Sequence, residues 1–214
     1  MAPEPLREIP GPSGPLEALL DLPERDPRAV AVFGHPHPHY GGTLHTKVVY
    51  QAAKALARGG CAVLRFNFRG VGRSAGTFDA GIGEMDDFHA AIDAITNRYP
   101  GLPVWAGGFS FGSWIALTVG AADPRVRVLL AVAPPVGLYD LEALTTCTKP
   151  KFFIHGEWDE LVPMKTVRRF YASLPEPKEL VEIEGATHLF EGKTAEVGDA
   201  IEDLLGDFEA PAGP

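Results

Sequence analysis

The segment Val104-Trp-Ala-Gly-Gly-Phe-Ser-Phe-Gly112 joins a short apolar run to a helical one through a tight turn that contains Gly-x-Ser-x-Gly. The glycines at positions 108 and 112 lie on either side of the serine, where a larger side chain would collide with the neighbouring strand or helix. A serine at such a strand-turn-helix junction presents its hydroxyl above the sheet. The segment therefore predicts a nucleophile elbow with Ser110 as the nucleophile.

On both sides of this junction the chain alternates short β-rich runs with longer helical ones, which is typical of a parallel sheet covered by helices. The predicted strands are Leu16–Leu22, Ala29–Gly34, Ala62–Asn67, Val104–Ala106, Val128–Ala133, Phe152–His155 and Leu180–Ile183. The predicted helices are Thr46–Arg58, Gly83–Arg98, Phe111–Ala121, Met164–Ala172 and Ala195–Leu205. We therefore predict an α/β fold: a three-layer α/β/α sandwich around a mostly parallel, doubly wound sheet, without a large cap domain.

The length of 214 residues suits one domain. Residues 1–15 are rich in proline and have no apolar run, so we expect a flexible N-terminal tail and no signal peptide or membrane anchor. Residues 16–208 are expected to form the single α/β domain, and residues 209–214 a flexible C-terminal tail.

Charge and cysteine content restrict the partners and the compartment. The formal net charge of −9 argues against binding to nucleic acid or to an anionic membrane surface. Two cysteines, Cys61 and Cys147, are too few for a disulfide framework and favour the cytoplasm. No heptad pattern is present, so we expect a monomer or a weak homodimer.

The same Gly-x-Ser-x-Gly pattern recurs at Gly72–Gly76, around Ser74. Ser74 comes several residues after its strand and is followed by more loop, so it does not sit on a strand-turn-helix junction. We interpret its segment as a flexible loop at the rim, and Ser110 remains the predicted nucleophile.

A serine nucleophile needs a base, and the base needs a carboxylate that fixes its tautomer. His188 follows the strand Leu180–Ile183 and is the best candidate base, whereas His155, His89 and His45 are interpreted as structural or surface residues. Asp159 follows the strand Phe152–His155 and gives the chain order nucleophile, acid, base. Glu157 and Glu160 are close rivals of Asp159.

Several separated motifs now agree. They are His35-Pro-His-Pro-His-Tyr-Gly-Gly-Thr43, Asn67-Phe-Arg-Gly-Val-Gly-Arg-Ser-Ala-Gly76, Gly108-Phe-Ser-Phe-Gly112, His155-Gly-Glu-Trp-Asp159 and Gly185-Ala-Thr-His188. From about Ala29 to Leu205 the chain resembles the α/β-hydrolases, in particular small bacterial hydrolases of the serine esterase and dienelactone hydrolase type with His-Pro-His-Pro before Gly-Gly. The resemblance implies hydrolysis without a cofactor and fixes the fold and the triad better than the substrate.

Attack on a carbonyl creates an oxyanion that needs donors already in place. The backbone N–H of Phe111 is the first expected donor. The second is expected in the loop after Ala29–Gly34, where Pro36 and Pro38 have no N–H. His37 is the first choice, with His39 or Tyr40 as fallbacks. The His35-x-His37-x-His39 spacing also allows a metal site, but an oxyanion loop stiffened by proline is the preferred interpretation, and no metal is expected.

The stretch from Pro134 to Pro150 is too short for a full lid, which favours a small-molecule ester with a short-to-medium acyl chain. The candidate pocket residues are Tyr40, Phe109, Leu138, Tyr139, Trp158 and Phe190.

The predicted reaction is acyl transfer through an acyl-enzyme. Thioesterase, lactonase, amidase and perhydrolase activities stay open, as does a binding module without turnover.

Overall fold

The computed structural model describes residues 6–207, which form an eight-stranded sheet with helices on both faces. The strands are β1 (Glu8–Ile9), β2 (Leu16–Asp21), β3 (Ala29–Gly34), β4 (Cys61–Phe66), β5 (Val104–Phe109), β6 (Val126–Val132), β7 (Lys151–Gly156) and β8 (Lys178–Ile183). The helices are α1 (Lys47–Arg58), α2 (Ile82–Arg98), α3 (Phe111–Ala122), α4 (Met164–Ser173) and α5 (Thr194–Asp207). The predicted three-layer α/β sandwich is confirmed.

The strand order is β1-β2-β4-β3-β5-β6-β7-β8. Strands β3 to β8 are parallel, while β1 and β2 are antiparallel to their neighbours. From β3 the chain first moves to β4 on one side and then to β5 on the other, so the direction of winding reverses between β3 and β5. Ligand sites in such sheets lie beyond the carboxyl ends of the strands at this reversal. The loops after β3 and β5 both begin there.

Apolar side chains fill two core layers, one on each face of the sheet. One layer joins the sheet to α2, α3 and α4 through residues such as Phe88, Ile115 and Val167. The other joins it to α1 and α5 through residues such as Val49 and Ile201. No helix within residues 6–207 is long and apolar enough to cross a membrane.

The N-terminal segment differs from the predicted flexible tail over the part that the structure describes. Glu8 and Ile9 form β1, which pairs with the start of β2 through Glu8 opposite Glu17 and Ile9 opposite Leu16. Ile9 is only 2% exposed and belongs to the core layer of α2 and α3. Burial of this side chain explains why the segment is held against the sheet. Residues 1–5 and 209–214 of the predicted tails lie outside the described residues.

The loop after β4 is also better anchored than predicted. Ser74 is 8% exposed; its hydroxyl donates to the carbonyl oxygen of Asn67 at 2.7 Å and accepts from the N–H of Glu17 at 2.9 Å. These bonds tie the loop to the residue after β4 and to β2, so the prediction of a flexible rim at Ser74 is wrong. The hydroxyl has a structural role because both of its hydrogen bonds are to backbone groups.

Candidate active site

Ser110 lies between β5 and α3 with a strained backbone. Its φ of 52° and ψ of −118° lie in a region that side chains other than glycine rarely adopt. A Cβ at Gly108 would collide with the backbone of Gly112, and a Cβ at Gly112 would collide with the backbone of Gly34 and His35. The two glycines therefore allow β3, β5 and α3 to approach closely at the turn.

The imidazole of His188 bridges Ser110 and Asp159. Its Nε2 lies 2.9 Å from the Ser110 hydroxyl oxygen, and its Nδ1 lies 2.7 Å from Oδ2 of Asp159. Because an ionised carboxylate only accepts hydrogen bonds, Nδ1 carries the proton and Nε2 is free to accept one. His188 and Asp159 are 4% and 5% exposed, so this hydrogen-bonded chain is shielded from water.

Asp159 is fixed by the loop that carries it. Its Oδ1 accepts hydrogen bonds from the N–H groups of Leu161 and Val162, at 2.9 and 2.8 Å. Burial raises the pKa of the carboxyl, but the hydrogen bonds from His188 and Val162 outweigh burial, and the net pKa lies below its ordinary value. The carboxylate therefore stays ionised at neutral pH.

The rival carboxylates have other partners. Glu157 accepts from the N–H of Gly185 at 3.0 Å, and Glu160 accepts from the N–H of His188 at 3.2 Å. Both bonds hold the loop after β8 against the loop after β7. The side chain that contacts the imidazole of His188 is Asp159.

His155, interpreted from sequence as a structural residue at the end of a strand, is in direct contact with this carboxylate. Its Nε2 lies 2.8 Å from the carbonyl oxygen of Val162 and 3.3 Å from Oδ2 of Asp159. The carbonyl can only accept, so Nε2 carries a proton that it donates to Val162, and this N–H lies close to Oδ2 of Asp159. The side chain is fully buried, and among residues 6–207 its Nδ1 has no hydrogen-bond partner. Burial lowers the pKa of His155, which keeps the ring neutral.

The loop after β3 presents the candidate oxyanion donors. The N–H groups of His39 and Tyr40 are bonded within the turn, to Nδ1 and the carbonyl oxygen of His37 respectively. Within residues 6–207 no acceptor is bonded to the N–H of His37 or of Phe111. The rings of these two residues lie 5.1 Å apart, so the loop passes directly beside the residue that follows Ser110. Unlike His39 and Tyr40, His37 therefore has an N–H without a partner in the described residues.

His35 anchors the loop from inside the protein. Its Nε2 accepts from the N–H of Phe68 at 3.1 Å, while Nδ1 lies 2.6 Å from the carbonyl oxygen of Pro36. Burial lowers the pKa of His35 to about 4. Because the ring is fully buried while His39 is exposed, the alternate histidines do not present three ligands on one face. No cluster of three metal-binding side chains occurs between residues 6 and 207.

The predicted pocket residues separate into exposed and buried ones. Tyr40, Leu138 and Trp158 are 88%, 61% and 67% exposed on loops around the carboxyl edge of the sheet, and Tyr139 is half-buried. Phe190 is fully buried in the core layer between the sheet and α5. Its apolar surface supports Phe109, whose ring lies 5.7 Å from the ring of His188.

Phe109 also lines a cleft of about 470 Å³ beside the loop of His188. The start of α1 and the residues after His188 form its other walls, which are Thr46, Lys47, Val48, Leu189, Glu191, Gly192, Thr194 and Ala195. Its volume lies in the range of small-molecule sites.

Comparisons with known proteins give a consistent result. The family model described as serine aminopeptidase, S33, matches residues 25–141. An uncharacterised protein of Rickettsia prowazekii is 38% identical over 204 residues, which cover 91% of this chain and 86% of the relative.

Two solved structures are similar over nearly their whole length. An α/β serine hydrolase homologue from Coxiella burnetii has a TM-score of 0.89 and 37% identity, covering 96% of this chain and 98% of that one. A serine hydrolase without a lid from Xanthomonas campestris has a TM-score of 0.89 and 36% identity, covering 99% and 96%.

Proposed function

Because the chain belongs to the α/β-hydrolase superfamily, we propose that it is a serine hydrolase that cleaves short-to-medium acyl esters with Ser110, His188 and Asp159. The observation that carries the proposal is the continuous contact from the Ser110 hydroxyl through His188 to Asp159, at 2.9 and 2.7 Å. The strained turn at Ser110 and the shielding of His188 give it further support.

In the acylation step, Ser110 Oγ attacks the ester carbonyl carbon while Nε2 of His188 takes the hydroxyl proton. The carbonyl oxygen becomes an oxyanion, which accepts hydrogen bonds from the N–H groups of Phe111 and His37. His188 then gives its proton to the alkoxy oxygen, the bond from that oxygen to carbon breaks, and the alcohol leaves. Asp159 stays ionised and stabilises the imidazolium.

In the deacylation step, His188 removes a proton from water, and the resulting hydroxide oxygen attacks the acyl carbon. The collapse of the second tetrahedral intermediate releases the acid and returns the proton to Ser110. One water is consumed for each ester cleaved, and the mechanism requires no cofactor.

The loops around the site support a preference for esters of modest size. Between β6 and β7 only residues 133–150 intervene, and they contain the short 3₁₀ turn Glu142–Thr145. Thioesters, lactones and amides are cleaved through a tetrahedral intermediate of the same kind, so the rates on a panel of leaving groups show which of these substrates the enzyme prefers.

The proposal places the enzyme in the cytoplasm, because the two thiols, Cys61 and Cys147, are buried and unpaired, as suits a reducing compartment.

The test is Ser110→Ala, with Ser74→Ala as the matched control in the other Gly-x-Ser-x-Gly. We expect Ser110→Ala to lose at least about 10³-fold in kcat on a short-chain ester, and Ser74→Ala to retain most of the activity. A fluorophosphonate probe should form one covalent adduct, on Ser110. Equal loss from both substitutions, or no loss at Ser110, would overturn the assignment.

The probe also separates catalysis from binding without turnover. If the folded protein stays unlabelled and inactive on the whole panel, it is a binding module and the proposed function is wrong.

A further inference from the structure

A continuous group of aromatic rings lies on one side of Ser110. It comprises Phe111, which follows the nucleophile, together with His37, Tyr40, Phe78, Trp114 and Tyr139. We call this group the aromatic platform. Its members come from four separate parts of the chain: the loop after β3, the segment before α2, the start of α3 and the loop after β6.

Phe111 is the centre of the platform. Its ring centroid lies 5.1 Å from that of His37, 5.9 Å from Phe78, 5.5 Å from Trp114 and 6.0 Å from Tyr139. Phe111 itself is 1% exposed, so the surrounding rings cover it. The platform therefore has a buried base directly beside Ser110.

The outer rings reach solvent. Tyr40 is 88% exposed, and its ring lies 4.9 Å from that of His37. His37, Phe78 and Tyr139 are half-buried. Tyr139 is stacked on Trp114 at a centroid distance of 4.2 Å and an interplanar angle of 19°, which holds its ring in a defined orientation. The outer rings of the platform are therefore in contact with solvent.

Two titratable rings of the platform carry no charge at neutral pH. Burial lowers the pKa of His37, and the neighbouring His39 lowers it further, so the imidazole is neutral. Burial raises the pKa of Tyr139, with a smaller effect from Tyr40, so the phenol keeps its proton. Neither His37 nor Tyr139 would therefore have to lose a charge to pack against an uncharged aromatic ring of a ligand.

The proposed mechanism orients a substrate relative to the platform. The alkoxy oxygen of the ester must lie next to His188, which protonates it, and the oxyanion must face the N–H groups of Phe111 and His37. The leaving alcohol then lies towards the cleft beside the loop of His188, and the acyl group lies towards the rings of Phe111 and His37.

On this geometry we infer that the enzyme prefers esters whose acyl group carries a planar aromatic ring, which stacks on the aromatic platform. The inference rests on the proposed function and specifies its substrate class. Offset and edge-to-face ring contacts add to the free energy gained from apolar burial, and they require a planar ring. A purely apolar pocket gives no such advantage to planarity.

The test compares ethyl 3-phenylpropanoate with ethyl 3-cyclohexylpropanoate. Both acyl groups have nine carbons and a six-membered ring, and the ethyl leaving group carries no ring of its own. The cyclohexyl ester is the more apolar, so burial alone favours it. We expect kcat/KM, measured by titration of the released acid, to be about tenfold higher for the phenyl ester.

Substitutions of single rings show which residues give the preference for the phenyl ester. Tyr139→Leu and Phe78→Leu each keep an apolar side chain but remove a ring, and the phenyl-to-cyclohexyl ratio should fall towards one in both. Tyr50→Leu is the matched control, because Tyr50 is an exposed aromatic residue on α1, outside the platform and outside the predicted pocket. It should keep the ratio of the parent enzyme.

The outcomes distinguish this inference from the proposed function. A ratio near one in an enzyme that hydrolyses ethyl butanoate overturns the inference and leaves the function standing. A preference that appears only when the ring is in the alcohol, as in 2-phenylethyl butanoate against 2-cyclohexylethyl butanoate, also overturns it.

Binding to Ser110→Ala, measured by calorimetry, tests the platform without turnover. The phenyl ester should bind about tenfold more tightly than the cyclohexyl ester. Equal affinity would contradict the inference even if no ester is hydrolysed.

Discussion

The contacts around Asp159 show which groups fix the position of its carboxylate. Oδ1 is held by two backbone N–H groups of its own loop, whereas Oδ2 is bonded to Nδ1 of His188 and lies 3.3 Å from Nε2 of His155. Because the N–H of His155 is also bonded to the carbonyl of Val162, this imidazole links both ends of the turn that carries Asp159. His155 is therefore a positioning residue for the carboxylate.

This role predicts different effects for two substitutions at position 155. In His155→Leu, Asp159 loses the favourable electrostatic contact with the nearby imidazole, so the pKa of the carboxyl should move up towards its ordinary value. The carboxylate would then be protonated at a higher pH, so the fall of kcat/KM on the acid side should move to higher pH. We expect a loss of about tenfold at neutral pH, measured by the pH profile of kcat/KM.

His155→Gln is the matched variant, because its amide nitrogen can donate from a position close to that of Nε2. It should recover most of the activity and the acid limb of the parent enzyme. If His155→Leu lowers the melting temperature but leaves the pH profile unchanged, the residue only fills space.

The three residues of the proposed triad were accessible to sequence analysis for a physical reason. Each follows a strand of the parallel part of the sheet, and the carboxyl ends of parallel strands share one edge of the sheet. The contact of His155 was not accessible, because it depends on how residues 156–162 fold back until the carbonyl of Val162 meets the ring. No spacing rule describes that turn.

At the level of secondary structure, β1 is the element that differs most from the prediction. Two residues directly before Pro10 give no periodic signal, and their pairing depends on β2 as a partner. The longer strands and helices, in contrast, were predicted to within a few residues, because their apolar runs are buried on one or both faces.

Neighbouring residues of β1 provide a test of its contribution. Ile9→Ala should lower the free energy of unfolding by about 2 kcal/mol, because Ile9 is buried against the core, whereas Glu8→Ala should change it by less than about 0.5 kcal/mol. Urea denaturation of both variants measures the difference. Equal, small effects would mean that β1 does not contribute to the stability of the folded domain.

Across the whole molecule, the reversal of winding between β3 and β5 brings the loop of His37 beside the turn of Ser110. The sequence indicated a parallel sheet, but the order of its strands depends on which side each crossover takes, and the local pattern does not encode that choice. The buried ring of His35 lies at the same reversal and holds the loop after β3 to the backbone of Phe68. The stability of the fold is thus linked to protonation of the His35 imidazole.

The direction of that link follows from the two pKa values of His35. Burial lowers the folded-state pKa to about 4, against 6.5 for an ordinary histidine, so the unfolded chain binds the proton more tightly. The stabilising effect of the neutral ring is complete above pH 6.5, is lost as the pH falls between 6.5 and 4, and does not change further below that. The difference of about 2.5 between the two pKa values corresponds to roughly 3 kcal/mol.

In His35→Gln no proton binds at this position, so the free energy of unfolding should fall by roughly 3 kcal/mol less than in the parent between pH 7 and pH 4. Acidic groups that titrate in the same interval are common to both proteins and cancel in the difference. Denaturation by urea at a series of pH values measures it, with His45→Gln as the control because His45 is exposed and should leave the parent's pH dependence in place. Parallel curves for His35→Gln and the parent would mean that the buried imidazole does not couple folding to pH.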